Sequence, residues 1–340
     1  MFLDKKIKML SGVLLCIAMG NAYSAQDDYL PRHLIFTSDP QYPWTESSDH
    51  GWNESTSEKE KRSQWLIETQ YSDVANFRNN VSVDPARVPV MINGDMTAFG
   101  HGGQRSMVNN LLKNALGDHY DYGLGNHDYE NNVDDCSFPE NNCAADSIMA
   151  LKDKYWGNVD SMDLAARSEE GAKVYYGSLA YSKAVGDVHL IQLNNEPTYT
   201  VNFSSGFPLN RVMFEISAAL DWLERDLQRA RSQDKIIILN LHKPDQWKGS
   251  SEQVARFKTM IERYKVSAVF AGHLHTEPGL YTGWNRRDYF GEVPVFLSGG
   301  ATNQTYLIAD IAADRQTLKV HQVNGNNWPS RQLIATLAVR

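Results

Sequence analysis

The chain has 340 residues, 42% of them hydrophobic and 22% charged, with a formal net charge of -8. That composition excludes a disordered or collagen-like chain and suits one large α/β domain or two modest ones. The acidic balance excludes tight, sequence-independent binding to nucleic acid, which depends on neutralising phosphates. It does not bar a small phosphorylated substrate, because bound cations can dominate a local field.

Lys5, Lys6 and Lys8 make a positive start, and residues 9–19 form an apolar run too short to span a bilayer comfortably. Ala22-Tyr23-Ser24 then offers small residues at the two positions a signal peptidase reads. Residues 1–24 are therefore expected to be an export signal and 25–340 a single mature domain, periplasmic or secreted. Leu15 precedes Cys16 where a lipid anchor requires a small residue, so no anchor is expected. No later segment has the length and apolarity of a membrane span.

The apolar run 33–38 stops at Asp39-Pro40, and a Ser/Asp-rich stretch follows. Helical spacing predicts a helix over 58–77, with Trp65, Leu66, Tyr71, Val74 and Phe77 on its apolar face. Residues 88–92 form a second apolar run, ending at Asn93-Gly94-Asp95. Segment 107–116 reads as helix, and 120–124 leads into Gly125-Asn126. Cys136 and Cys143 are an even pair once Cys16 leaves with the signal, and they flank a short polar loop. A disulfide is expected in an oxidising compartment; free thiols or a metal pair are the alternatives. Segment 147–156 reads as helix, and 174–184 and 188–193 as strands. Segment 213–230 reads as the clearest helix, with a stripe of Ile216, Leu220, Leu223, Leu227 and Ala230. A buried strand over 236–239, a helix over 254–264 and a buried strand over 266–270 follow. From Val293 on, the pattern is strands, and antiparallel strands are predicted to join the mixed sheet near the C-terminus. Helices between buried strands predict layers of helix on sheet.

The informative feature is where the runs end. Asp39 and Gln41 follow the first, Asp95 the second, and Asn126, His127 and Asp128 the third. His242 follows the strand at 236–239, and His273 and His275 follow the one at 266–270. In α/β sheets ligands collect beyond the carboxyl ends of strands. Oxygen and imidazole groups from five such ends suit Mn, Fe or Zn. His101, in a Gly-rich loop, is a candidate substrate contact. Tyr42 and Trp44 are candidates to line the cleft, with core packing the alternative for Trp44. Asn240 either touches a phosphate or ends its strand.

Asp39-Pro40-Gln41, Gly94-Asp95, Gly125-Asn126-His127-Asp128, His242 and Gly272-His273-Leu274-His275 together resemble the calcineurin-like metallophosphoesterase family, over residues 34–298. Gln41 stands where most of the family has His, as in the branch with Asp-x-Gln. The resemblance implies an α/β fold of two mixed β-sheets packed as a sandwich with helices on the outer faces. It also implies a dinuclear centre. Asp39, Gln41, Asp95 and His275 would hold one ion, and Asp95, Asn126, His242 and His273 the other. A metal-activated hydroxide would be the nucleophile. His127, beside Asn126 at the substrate, would stabilise or protonate the leaving oxygen, and Asp128 would orient His127. The implied substrate is a phosphorylated small-molecule, lipid or nucleotide ester, as monoester or diester. The alternatives are a non-catalytic phosphate-ligand-binding protein on the same fold and a secreted effector phosphodiesterase or phospholipase. An amide oxygen at Gln41 predicts looser metal binding, biased toward Mn or Fe over Zn.

Overall fold

A computed structural model describes residues 30–136, 139–169, 171–207 and 210–339. The predicted export signal lies outside the described residues. Among these residues the strands form three sheets. The first runs in the spatial order β17 (Gln332–Ala338), β16 (Thr317–Val323), β15 (Tyr306–Ile311), β1 (His33–Thr37), β2 (Val90–Ile92) and β3 (Asp121–Tyr122). The second runs β13 (Gly279–Leu280), β14 (Val295–Leu297), β12 (Ala268–Ala271), β11 (Ile236–Asn240), β8 (Val188–Gln192), β7 (Tyr181–Val185) and β4 (Ser161–Met162). The third is a smaller sheet of β5 (Ala165–Glu169), β6 (Ala172–Gly177), β10 (Val212–Ile216) and β9 (Val201–Ser205). The helices are α1 (Glu46–His50), α2 (Thr56–Val81), α3 (Gly102–Leu116), α4 (Asn142–Tyr155), α5 (Leu220–Ser232), α6 (Ser251–Arg263) and α7 (Arg286–Phe290).

The central strands of the two large sheets are buried on both faces, which explains their continuous apolar runs. Side chains alternate along each strand. Leu34 and Phe36 of β1 therefore enter one cluster with Ile236 and Ile238 of β11 and Phe270 of β12. The Phe36 and Phe270 rings stack at 3.6 Å across that interface. Ile35 faces the opposite way, into a cluster with Leu66, Tyr71, Val74 and Phe77 of α2. On the far side Ile237 and Leu239 pack with Leu223 and Leu227 of α5 and Phe257 and Ile261 of α6. The result is helix, sheet, sheet, helix, the expected mixed α/β sandwich. β15 meets β1 antiparallel, and β16 and β17 continue that way, as the C-terminal strand pattern predicts.

Three expectations are corrected. The helix predicted over 213–230 begins only at Leu220, and β10 occupies 212–216. Ile216 lies four residues before Leu220 and so mimics a helical stripe, although Phe214 and Ile216 alternate as in a strand. The strand predicted over 174–184 is two strands, β6 and β7, parted where Gly177 and Leu179 adopt positive φ. β6 and β10 both belong to the third sheet, which the sequence pattern did not announce. Trp65 is 44% exposed rather than on the apolar face of α2, with the Arg62 guanidinium over its ring. No helix among the described residues is long and apolar enough to cross a membrane.

Candidate metal centre

β1, β2 and β3 run parallel, as do β8, β11, β12 and β14. Their carboxyl ends meet at one rim of the sandwich, where the His242 Nδ1 lies 2.8 Å from the Asn93 carbonyl across the two sheets. The turns beyond the strands are tightly bent. Asp39, Gln41, Asp95 and His273 adopt φ of 52°, 40°, 48° and 72°. Non-glycine residues there cost on the order of 1–3 kcal/mol each, and persist only when the surroundings over-determine them. Here the Asp39 amide donates to Gly94 O at 3.1 Å and the Gln41 amide to Asp95 O at 2.9 Å, which lock the first two turns together. Two glycines admit the side chains. A Cβ on Gly125 would collide with the Asp95 carboxylate, and one on Gly272 would come within 2.7 Å of Asp39 Oδ2.

The side chains then converge. Asp39 Oδ1 lies 3.1 Å from His275 Nε2, and Asp39 Oδ2 accepts from the His273 amide at 3.0 Å. His242 Nε2 lies 3.1 Å from Asp95 Oδ2 and 3.0 Å from Asn126 Oδ1. Asp95, His242 and His273 offer ligand atoms that all lie within 4.8 Å of one another. Gln41 is buried, and its Oε1 has no hydrogen-bond partner. An unclaimed buried carbonyl costs about 1–3 kcal/mol, so its presence here is informative.

The electrostatics are those of a cation site. Burial works against the Asp95 carboxylate, but His242, His127 and His273 hold its pKa well below the usual range. Burial also works against a charged His242, yet Asp95 and Asp39 lift it to about 9. His275 is lifted against its burial to about 10 by Asp39 and Asp49. His273 is pushed down to about 4 by burial and by the neighbouring His242. The two carboxylates thus draw positive charge strongly, and a divalent cation answers the same field. Buried carboxylates, imidazole nitrogens and an unclaimed amide oxygen form a donor set that fits a transition metal.

The model of the calcineurin-like phosphoesterases matches residues 33–277. The chain belongs to the calcineurin-like phosphoesterase family. No curated protein matches it. Among solved structures, Chaetomium thermophilum Vps29 is similar with a TM-score of 0.32 and 6% identity, over 91% of this chain and 98% of that chain.

The remaining predicted residues of this calcineurin-like phosphoesterase are placed as follows. His127 sits at the cluster: its amide donates to Asp95 Oδ1 at 2.8 Å, and its Nδ1 lies 2.8 Å from Ala98 O. Asp128 does not orient it. The Asp128 carboxylate is spent on the amides of Met96, Thr97 and Gly125, each at 3.0 Å, and on the Thr97 hydroxyl at 3.1 Å. It therefore clamps the turn after Asp95 to the turn before Asn126, and the Ala98 carbonyl holds the imidazole. Burial and the nearby Asp95 charge push Asp128 up to about 6. His101 is exposed at the start of α3, near the ring of Phe99 and the sulfurs of Cys136 and Cys143. Those two cysteines form a disulfide with Cα atoms 5.8 Å apart. Trp44 is half-buried, with its ring 5.3 Å from that of His127. Tyr42 is buried in the core behind α2, and Asn240 is buried within the sheet, donating to Ile191 O at 3.2 Å. Sequence reasoning missed Asp49, whose Oδ1 lies 2.7 Å from His275 Nδ1. It sits in a polar stretch without motif or apolar periodicity, so no signal marked it.

Proposed function

We propose that this chain is an exported phosphoester hydrolase with a dinuclear metal centre. Asp39, Gln41, Asp95 and His275 would hold one ion, and Asp95, Asn126, His242 and His273 the other, with Asp95 shared. Such ions polarise a phosphoryl oxygen and lower the pKa of water, supplying nucleophile and charge neutralisation at neutral pH. Mn, Fe or Zn fits the donors. The observation that carries this reading is the convergence of carboxylates and imidazoles at one sheet rim, beside Gln41, whose buried side-chain oxygen is unclaimed.

The chain's own groups supply the rest. With His127 Nδ1–H donated to Ala98 O, its Nε2 is the atom that can deliver a proton to the departing oxygen. General acid help of that kind contributes about 10²–10⁴-fold. The Asp128 clamp holds Asp95 and Asn126 in register, which preorganises the site before substrate arrives. The Cys136–Cys143 bridge accords with an oxidising, periplasmic or extracellular compartment.

The test is a panel of phosphate monoesters and diesters assayed with Mn, Zn, Mg and Fe. Turnover that depends on metal and collapses in Asp95→Ala supports the hydrolase. Tight phosphate binding without turnover under every metal would replace it with the binding-protein reading.

A further inference from the structure

The rim-side ligand His275 is gripped by a part of the chain outside the family's motif blocks. Residues 42–54 leave the first strand-end turn and return to it. α1 is fixed at both ends: Thr45 caps its start in a capping box with Ser48, and Gly51 closes it at φ 68°. The segment is anchored to α2 by Trp44 N donating to Ser63 Oγ at 3.1 Å and by Arg62 Nε donating to Glu46 Oε2 at 3.2 Å. That scaffold presents Asp49. Its Oδ1 accepts from the Trp44 indole Nε1 at 2.7 Å and meets His275 Nδ1 at 2.7 Å. The opposite ring nitrogen, Nε2, faces Asp39 Oδ1 at 3.1 Å.

We propose that Asp49, steered by Trp44, is a positioning residue for His275 that strengthens the Asp39–Gln41–His275 end of the centre and offsets the weak neutral ligand Gln41. The inference rests on the metal-centre reading above. A carboxylate on the far nitrogen of a ligating imidazole fixes its tautomer and ring angle and raises its basicity. His242 makes the contrast: its Nδ1 meets a neutral backbone carbonyl, that of Asn93. The charged partner therefore serves the end where an amide stands in for an imidazole. The Trp44 donor occupies the same Oδ1, so the carboxylate cannot swing away from His275 without breaking a second hydrogen bond.

The test is a calorimetric titration of metal-free protein with Mn²⁺ at fixed pH, in wild type, Asp49→Ala, Asp49→Asn and Trp44→Phe. In wild type two Mn²⁺ sites are expected. Asp49→Ala should weaken one of them by about 10–100-fold and leave the other within about twofold. Asp49→Asn keeps an acceptor oxygen and should fall between, and Trp44→Phe, which removes the steering donor and trims the ring that packs against His275 and His127, should follow with a smaller loss at the same site. Melting of each metal-free variant separates positioning from folding. Wild type that takes up no Mn²⁺ sinks the metal-centre reading, and this inference with it. Two sites in wild type with unchanged affinities in Asp49→Ala sink this inference alone. Equal weakening of both sites, or a loss that tracks a lower melting temperature, assigns Asp49 to structure and also overturns it.

Discussion

His242 is wholly buried and turns its Nδ1 to the backbone carbonyl of Asn93, whereas His275 keeps its side chain 12% exposed and turns its Nδ1 to the Asp49 carboxylate. At the inner end the proposed ligand is set by the meeting of two sheets, and its support is backbone that mutation cannot delete. At the rim end the proposed ligand is steadied by a short capped helix outside the sandwich, and its support is a replaceable side chain. The inner end offers Asn126 and His273 beside His242, and the rim offers the neutral Gln41. The difference separates what the fold supplies unconditionally from what this particular chain adds. In the proposed centre Asp95 is shared by the two ends, so its removal is the most severe way to break the comparison. Asp95→Ala should strip both ends of metal and lower kcat/KM by about 10³-fold or more, since metal charge stabilisation is worth several kcal/mol. Metal content by mass spectrometry and steady-state rates check this. One ion retained at wild-type affinity would show that the ends do not share the residue.

His127→Ala tests the opposite outcome, a chemical loss with both ends intact. About 10²–10⁴-fold should disappear from kcat, with two ions still bound and KM little changed. A variant that instead sheds metal would move His127 from the leaving group to the coordination shell.

The inner end was legible in the sequence, and the rim only in part. Asp95, Asn126 and His273 lie in Gly-Asp, Gly-Asn-His and Gly-His-x-His blocks and His242 stands alone after a buried run, all at the ends of apolar runs, and the parallel register of β1, β2 and β3 brings such ends together. The glycines are legible for a physical reason, because the space they leave is filled by Asp39 and Asp95 themselves. Asp49 was not legible, because one carboxylate in a Ser/Asp-rich stretch carries no period and no motif. Asp128 was misread for a related reason. Its partners are backbone amides of Met96, Thr97 and Gly125, and which amides converge on a side chain is written in the turn geometry and not in the residue type. The same limit hid β10, where Ile216 continues the stripe of α5 by coincidence of spacing while the chain pairs with β6 and β9.

A gentler probe is the pH dependence of the metal-free protein. His242 and His275 have pKa values raised in the fold, to about 9 and about 10, against burial, by Asp95, Asp39 and Asp49. Their contribution is fully present below the unfolded value of ~6.5 and is lost as pH rises through 9 to 10. His273 is depressed to about 4 by burial and His242. Its contribution is present above ~6.5 and is lost as pH falls toward 4. Melting temperature should therefore peak near neutrality and decline on both sides, with His275→Gln flattening the alkaline limb. An alkaline limb unchanged in that variant would remove the rim end from the balance.

The smallest expected effect comes from altering the rim ligand itself. Gln41→His restores an imidazole where the chain has an amide, in a position whose backbone is already held by the bond from its amide to Asp95 O. Imidazole is the better donor to late transition metals, while oxygen donors suit Mn. Zinc affinity at the rim should rise by about tenfold, which is about 1.4 kcal/mol, and manganese affinity should change less. The gain is expected to be modest because Asp49, in the role proposed above, already strengthens His275, so part of the deficit is met. The positive φ of 40° at this position is no obstacle to the change, since His is among the non-glycine residues that adopt positive φ more readily. Competition between the substituted protein and a zinc-responsive chelator measures the change. If zinc affinity is unchanged while manganese binding improves, then the amide is not the weak point of the rim, and the difference between the two ends lies in their supports alone.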